Sequence, residues 1–182
     1  LWWEEVTQYL ADKHSDILIS LNGSPYDLPK ANDRYVNAKE RTAQAGIPLI
    51  YTNQTGGQDE LVFDGEAFVM SRDGDVVIRQ QSFTQAVTMT DWSKQDDGNW
   101  KCAAQELPPK NDRLTDIYQA MMIGVRDYVN KNRFPGVIIG MSGGVDSALS
   151  AIVAVDALGA DRVHLVMMPS KYTSEESLID AS

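Results

Sequence analysis

The stretch GMSGGVDS, Gly140 to Ser147, constrains this chain more than any other. It lies between an apolar run, Gly136 to Gly140, that reads as a buried strand, and a helical pattern from Val145 to Leu158 closed by Gly159. A second apolar run, Val163 to Pro169, follows. Strand, glycine loop, helix and strand within about 30 residues predict a parallel βαβ crossover. In such a sheet ligands sit beyond the carboxyl ends of the strands, where Met141 to Gly144 must lie.

From Phe134 to Ala160 the sequence has no Lys or Arg. A loop placed there can hold an anion only through backbone N–H groups and the positive end of the following helix. Gly143 and Gly144 allow close approach of the main chain and positive φ, and Ser142 and Ser147 add hydroxyl donors. Asp146, in the first helical turn, would repel a bare phosphate and makes sense with a divalent cation between the two. The pattern is that of a pyrophosphate cradle working with Mg²⁺. The motif G-x-x-x-x-G-K-[ST] fails for want of a Lys where Val145 and Asp146 stand, and G-x-G-x-x-G is absent. A turn that only packs has little use for two glycines flanked by two serines.

Ahead of this unit, Asp16 to Asn22 and Ile47 to Gln54 read as buried strands, with Ala31, Tyr35, Ala38, Thr42 and Ala45 at helical spacing between them. A hairpin turning at Asp73-Gly74 follows. Strand, helix, strand and hairpin predict a layered α/β sandwich. Asp91 to Asp112 has no sustained period, ends in Pro108-Pro109 and reads as a linker. A helix then carries Ile117, Met121, Val125 and Val129 on one face. The expected domains are 1–92, a linker at 93–112, and 113–182.

A chain of 182 residues, 43% of them hydrophobic, can bury a core, and a net charge of -10 argues against nucleic acid or an anionic membrane as partner. No apolar run approaches the roughly 18 residues of a membrane helix. Cys102 is the only cysteine, so an internal disulfide is impossible and the cytoplasm is the expected compartment. His14 and His164 form no metal pattern with Cys102, which reads as an incidental thiol. The opening LWWEEV and the closing EESLIDAS lead us to expect an internal fragment of a longer polypeptide.

S-G-G-x-D-S after a strand resembles the PP-loop of the N-type ATP pyrophosphatases. Met167 to Ala181, MMPSKYTSEESLIDA, is similar to the NAD synthetases among them. SLNGSPY with the following Lys30, and YTNQTGGQDELVFDG, resemble the later part of the nitrilase-like glutaminase domain of glutamine-dependent NAD synthetases. The resemblance implies the C-terminal part of a nitrilase-like αββα sandwich. After it would come the start of a doubly wound, parallel-sheet synthetase domain of the adenine nucleotide α-hydrolase type. It implies ATP and Mg²⁺ at Gly140, Met141, Ser142, Gly143, Gly144, Val145, Asp146 and Ser147, with Asp146 toward the metal. It implies glutamine held by Ser24 and Lys30.

The reaction implied starts with attack of the nicotinate carboxylate of deamido-NAD on the α-phosphorus of ATP, releasing pyrophosphate. Ammonia from glutamine then displaces AMP to give NAD. The glutaminase Cys of the family's C-E-D-x-W motif would fall just before Leu1, so this stretch alone has no catalytic nucleophile and no glutaminase activity is expected of it. A homo-oligomer is expected. Two other readings stay open: another PP-loop amidotransferase, and a non-catalytic nitrilase-like assembly module. The Gly56 to Glu60 loop has no assigned role.

Overall fold

The structure is a computed structural model that describes residues 5–28 and 33–168. Lys30 and the part of the downstream motif from residue 169 onward lie outside the described residues. The chain divides into two compact units, one of residues 1–55 and 63–112, the other of residues 56–62 and 113–182. The mixed α/β class expected from the sequence is the one observed.

The first unit opens with a helix, α1 (Glu5–Asp12), and is built on a sheet of order β1-β2-β5-β6. Its strands are β1 (Leu18–Asn22), β2 (Leu49–Asn53), β5 (Phe68–Met70) and β6 (Val76–Arg79). Between β2 and β5 the chain makes a hairpin of β3 (Thr55–Gln58) and β4 (Leu61–Asp64). β1 and β2 run parallel, which requires a crossover, and α2 (Asp33–Ala45) supplies it. β5 and β6 form the hairpin expected around Asp73-Gly74, with Gly74 at φ 86.

Alternate residues of the strands feed two cores. Leu18, Leu49, Phe68 and Met70 pack with Ala38 of α2, and Phe68 is stacked between Tyr35 and Tyr51 at centroid distances of 4.6 and 4.9 Å. On the opposite side Val69 and Ile78 pack with Cys102, joined by Ile50, Val77 and Trp92.

Cys102 stands on a second small hairpin, β7 (Trp92–Lys94) with β8 (Trp100–Cys102), within the stretch where the sequence shows no period. Strands of three residues are too short to display one. The thiol is a core side chain, 5% exposed. Burial, and secondarily the charge of Asp91, push its pKa up. We expect Cys102 to stay unmodified by a thiol reagent until the unit unfolds, with labelling tracking the unfolding transition across a denaturant series. Labelling complete before that transition would refute the packing.

The segment after β8 is fastened to β6 and its continuation. Gln105 N–H donates to Val77 O at 2.9 Å, the Arg79 guanidinium donates to Pro108 O, and Gln81 Nε2 donates to Asn111 Oδ1 at 3.0 Å. Asn111 Nδ2 donates in turn to Ser82 Oγ at 3.3 Å, and Lys110 Nζ stands 4.6 Å from the Tyr35 ring centroid.

The second unit contains α3 (Arg113–Lys131), β9 (Val137–Met141), α4 (Val145–Leu158), a 3₁₀ turn (Ala160–Arg162) and β10 (Val163–Met167). β9 and β10 are parallel in register Val137 to Val163 through Met141 to Met167, with α4 as the crossover expected from the sequence. Gly159, at φ 90, ends α4 by returning its N–H to Val155 O at 2.8 Å. Arg162 ties the turn before β9 down, donating to Pro135 O, Phe134 O and Asn130 Oδ1. In α3 the buried side chains are Ile123 and Val129, while Met121 of the expected apolar face is 38% exposed. The face turns because Gly124 draws the tip residues 56–62 against it: a Cβ there would meet Val62 Cγ2 at 3.3 Å.

Candidate functional site

β9 is a strand because Val137, Ile138 and Ile139 are β-branched and apolar, and it stops at Met141 because Ser142, Gly143 and Gly144 cannot continue the pairing to β10. The chain then turns into α4 within three residues. Gly143 makes that turn at φ 79, and Gly144 is the N-cap in extended conformation at φ -89 and ψ 155. Only the first of the two glycines has the left-handed φ expected of both. Gly144 instead offers lack of bulk, since a Cβ on it would lie 3.3 Å from Ser142 Oγ.

The two hydroxyls close the loop on itself. Ser147 Oγ donates to Gly144 O at 2.8 Å and accepts Ser142 N–H at 3.3 Å, while Ser142 Oγ lies 3.2 Å from Ser147 Oγ and accepts Gly144 N–H at 3.3 Å. The serines thus shape the loop and do not point away from it as free donors. The donors available to a ligand are main-chain ones. The first N–H groups of α4, on Val145, Asp146 and Ser147, have no carbonyl one turn earlier to bind. Gly140 ends the set on the strand side, where a Cβ would lie 2.7 Å from Met168 Cε. Together they make a neutral rim of N–H groups at the positive end of a helix dipole.

Asp146 is exposed in the first turn of α4, and its backbone oxygen accepts from Ser150 Oγ at 2.8 Å. The carboxylate is open to solvent, which fits a hydrated Mg²⁺ held by one carboxylate together with phosphate oxygens. Among the described residues no group of three or more His, Cys, Asp or Glu could hold a metal by protein ligands alone.

In the first unit, Ser24 follows the carboxyl end of β1 and its loop is pinned at several points. Its N–H donates to Asn53 Oδ1 at 2.8 Å, and its carbonyl accepts from Asn53 Nδ2 and Arg34 Nη2, both at 3.0 Å. Arg34 Nη2 also donates to Pro25 O at 3.2 Å. Arg34 Nη1 is paired with both oxygens of Asp64 at 2.7 and 2.8 Å, the two side chains being 8% and 4% exposed. Tyr51 faces the Ser24 hydroxyl: burial raises its pKa, and the Arg34 charge and a hydrogen bond from Ser24 offset part of the rise. A cavity of about 290 Å³ lies here, lined by Ser20, Asn22, Ser24, Arg34, Asn37 and Tyr51 among others. The supporting residues Arg34, Asn53 and Asp64 were not singled out from sequence. An acid directly after the apolar residues of LVF was the available signal, because a carboxylate entering a core needs a cation.

A strand, a neutral glycine loop and a helix N-terminus form a parallel α/β crossover unit, and residues 117–182 match the family model described as NAD synthase. The glutamine-dependent NAD(+) synthetase of Rhodobacter capsulatus is 40% identical over 181 residues, covering 100% of this chain and 33% of that protein. That of Acinetobacter baylyi is 37% identical over 182 residues, again 100% of this chain and 33% of the relative. A solved glutamine-dependent NAD+ synthetase from Acinetobacter baumannii, in complex with adenosine diphosphate, superposes with a TM-score of 0.86 at 39% identity, over 96% of this chain and 32% of that one. The corresponding enzyme of Cytophaga hutchinsonii, at 15% identity and TM-score 0.68 over 92% of this chain and 33% of its own, shares the fold. The chain is similar in sequence to the glutamine-dependent NAD(+) synthetases, and spans about a third of the length of the curated relatives it matches. No helix among the described residues is long and apolar enough to cross a membrane.

Proposed function

We propose that the full-length polypeptide makes NAD from deamido-NAD, ATP and glutamine. The observation that carries this reading is the Met141–Ser147 turn, a rim of main-chain N–H groups with no cation of its own and one open carboxylate. That rim suits the pyrophosphate portion of ATP; Asp146 would hold Mg²⁺ there, and the ion would supply charge neutralisation. The loop residues orient the β- and γ-phosphates and stabilise the charge that develops as pyrophosphate leaves. The carboxylate of deamido-NAD attacks the α-phosphorus, forming an acyl adenylate. Ammonia then attacks its carbonyl carbon and expels AMP. Activating the carboxylate first and delivering ammonia locally suit a poor electrophile and a scarce nucleophile.

On this reading residues 1–92 belong to a nitrilase-like glutaminase domain, which the strand, helix, strand, hairpin order supports, and residues 113–182 open the synthetase domain. The cytoplasm is the proposed compartment and a homo-oligomer the proposed assembly.

Ser24 and Lys30 are proposed to hold the α-amino and α-carboxylate groups of glutamine. Lys30→Ala in the full-length enzyme should therefore raise the glutamine requirement about ten- to hundredfold, the equivalent of losing one charge-assisted contact. Activity with added ammonia should stay near normal. An equal loss with both nitrogen donors would show that Lys30 supports the fold instead.

A further inference from the structure

Three cations line one cavity of the first unit, and the proposed reaction uses none of them. The cavity, of about 280 Å³, is walled by Tyr35 and Lys39 of α2, by Met70, Val76 and Arg79 of the β5–β6 hairpin, and by Lys110 of the segment after β8. Each cation is held in place. The Lys39 stem lies across the hairpin turn, where a Cβ on Gly74 would meet its Cγ at 2.8 Å and its Cε at 2.9 Å. Arg79, whose side chain is 10% exposed, donates to Pro108 O. Lys110 Nζ stands 4.6 Å from the Tyr35 ring centroid, on a segment pinned before it at Gln105 and after it at Asn111.

Like charges gathered at one place repel, and a chain of net charge -10 has carboxylates to spare for them. Of the three, Arg79 alone is given one, with Glu66 Oε1 4.0 Å from its Nε. Lys39 and Lys110 form no ion pair among the described residues. Burial raises the pKa of Glu66, so this carboxylate is a poor counter-ion for the whole group. A hydroxyl is left over as well. Tyr35 Oη is buried near Glu66 without meeting it, or any other described group, in hydrogen-bonding geometry. Burial first, and then the Glu66 charge, push the Tyr35 pKa up, so the hydroxyl keeps its proton and remains a donor.

We propose that Lys39, Arg79 and Lys110 form a binding site for a phosphate-type dianion, inorganic phosphate or a phosphate monoester. The two lysine charges without a carboxylate balance the two charges of the anion, and the Arg79 guanidinium adds N–H donors in a fixed fork. The cavity has room for a tetrahedral oxyanion and several waters, each of which takes about 30 Å³. Once bound, the anion joins α2, β6 and the segment after β8, all within one unit, and fastens that segment to the sheet. These residues are separate from the Gly140–Ser147 loop, and the site stands or falls independently of the reaction proposed above.

The test is calorimetric titration of the full-length protein with inorganic phosphate and, separately, with glycerol 3-phosphate, in chloride buffer of constant ionic strength without Mg²⁺. Lys39→Met and Lys110→Met keep the stems that lie on Gly74 and near Tyr35, and equal unfolding midpoints without phosphate would show that the fold is kept. Each should weaken binding about tenfold, the loss of one charge-assisted contact, and the double variant should weaken it about a hundredfold. Lys94→Met, at an exposed lysine elsewhere in the unit, should bind as wild type does. Phosphate should raise the thermal unfolding midpoint of the wild type and leave that of the double variant unmoved. Tighter binding of the ester marks an esterified source and tighter binding of inorganic phosphate a free one; either upholds the site. No phosphate binding by the wild type, unchanged affinity in the double variant, or an equal loss in Lys94→Met overturns it.

Discussion

Gly143→Ala in the full-length enzyme is expected to cut pyrophosphate release by about a hundredfold, the scale of losing a preorganised donor from a charge-stabilising site. Gly143 turns from β9 into α4 at φ 79. An alanine held there bears about 1–2 kcal/mol of steric strain. One that relaxes to negative φ rotates the following N–H groups away from the rim. Either outcome damages the cradle. Gly144→Ala is the internal comparison: at φ -89 it is unstrained, and its Cβ needs only a small shift of Ser142 Oγ, 3.3 Å away, so its effect should be smaller. Asp146→Asn keeps the helix turn but removes the charge proposed to face Mg²⁺, and should lose pyrophosphate release as severely as Gly143→Ala. All of these losses should appear with ammonia as well as with glutamine, while glutamate release continues. Wild-type pyrophosphate release in Gly143→Ala would refute the cradle, and in Asp146→Asn the metal role.

The largest stability effect should come from Asp64. Asp64→Ala leaves the Arg34 guanidinium, 8% exposed, without its counter-ion and frees the main chain at Ser24 and Pro25. Removing one partner of a buried ion pair costs about 3–5 kcal/mol because the other charge stays buried and uncompensated. Arg34 is already short of partners, since its Nε has none among the described residues. The double variant Arg34→Met/Asp64→Leu should recover much of the loss, apolar groups of similar volume being tolerated where a lone charge is not. Denaturant unfolding of the two variants against wild type measures the difference. A single variant as stable as wild type would show that water reaches the pair.

How much of this was legible in the sequence depended on the length and periodicity of each element. The βαβ unit was read almost to the residue because buried parallel strands are continuous apolar runs and α4 carries its own stop at Gly159. The β5–β6 hairpin was signalled by Asp73-Gly74. By contrast, β3 has the sequence TGGQ, which alternates nothing, and β7 and β8 are three residues each. Spacing alone puts Met121 on the apolar face of α3, whereas Ile123 is buried because a glycine-rich partner far back in the chain lies on that side. Tertiary contact of this kind leaves no periodic trace. In the Gly140–Ser147 loop the residue types suggest an anion site, but which glycine takes the positive φ is decided by the turn into α4, a matter of geometry rather than composition.

The segment fastened alongside β6 has a consequence for how this protein behaves in solution. Among the described residues β6 is the last strand of its sheet, and an unguarded terminal strand offers a row of main-chain groups to any neighbouring chain. Here Gln105, Pro108 and Asn111 occupy that flank, and Pro108 and Pro109 bring no N–H with which a further strand could pair. The covering is irregular in conformation; it takes one main-chain acceptor of β6, Val77 O, and otherwise binds through the Arg79 and Gln81 side chains. A stretch that looks expendable from its composition therefore covers part of a sheet flank. Shortening it would uncover the main chain of β6 at Val77.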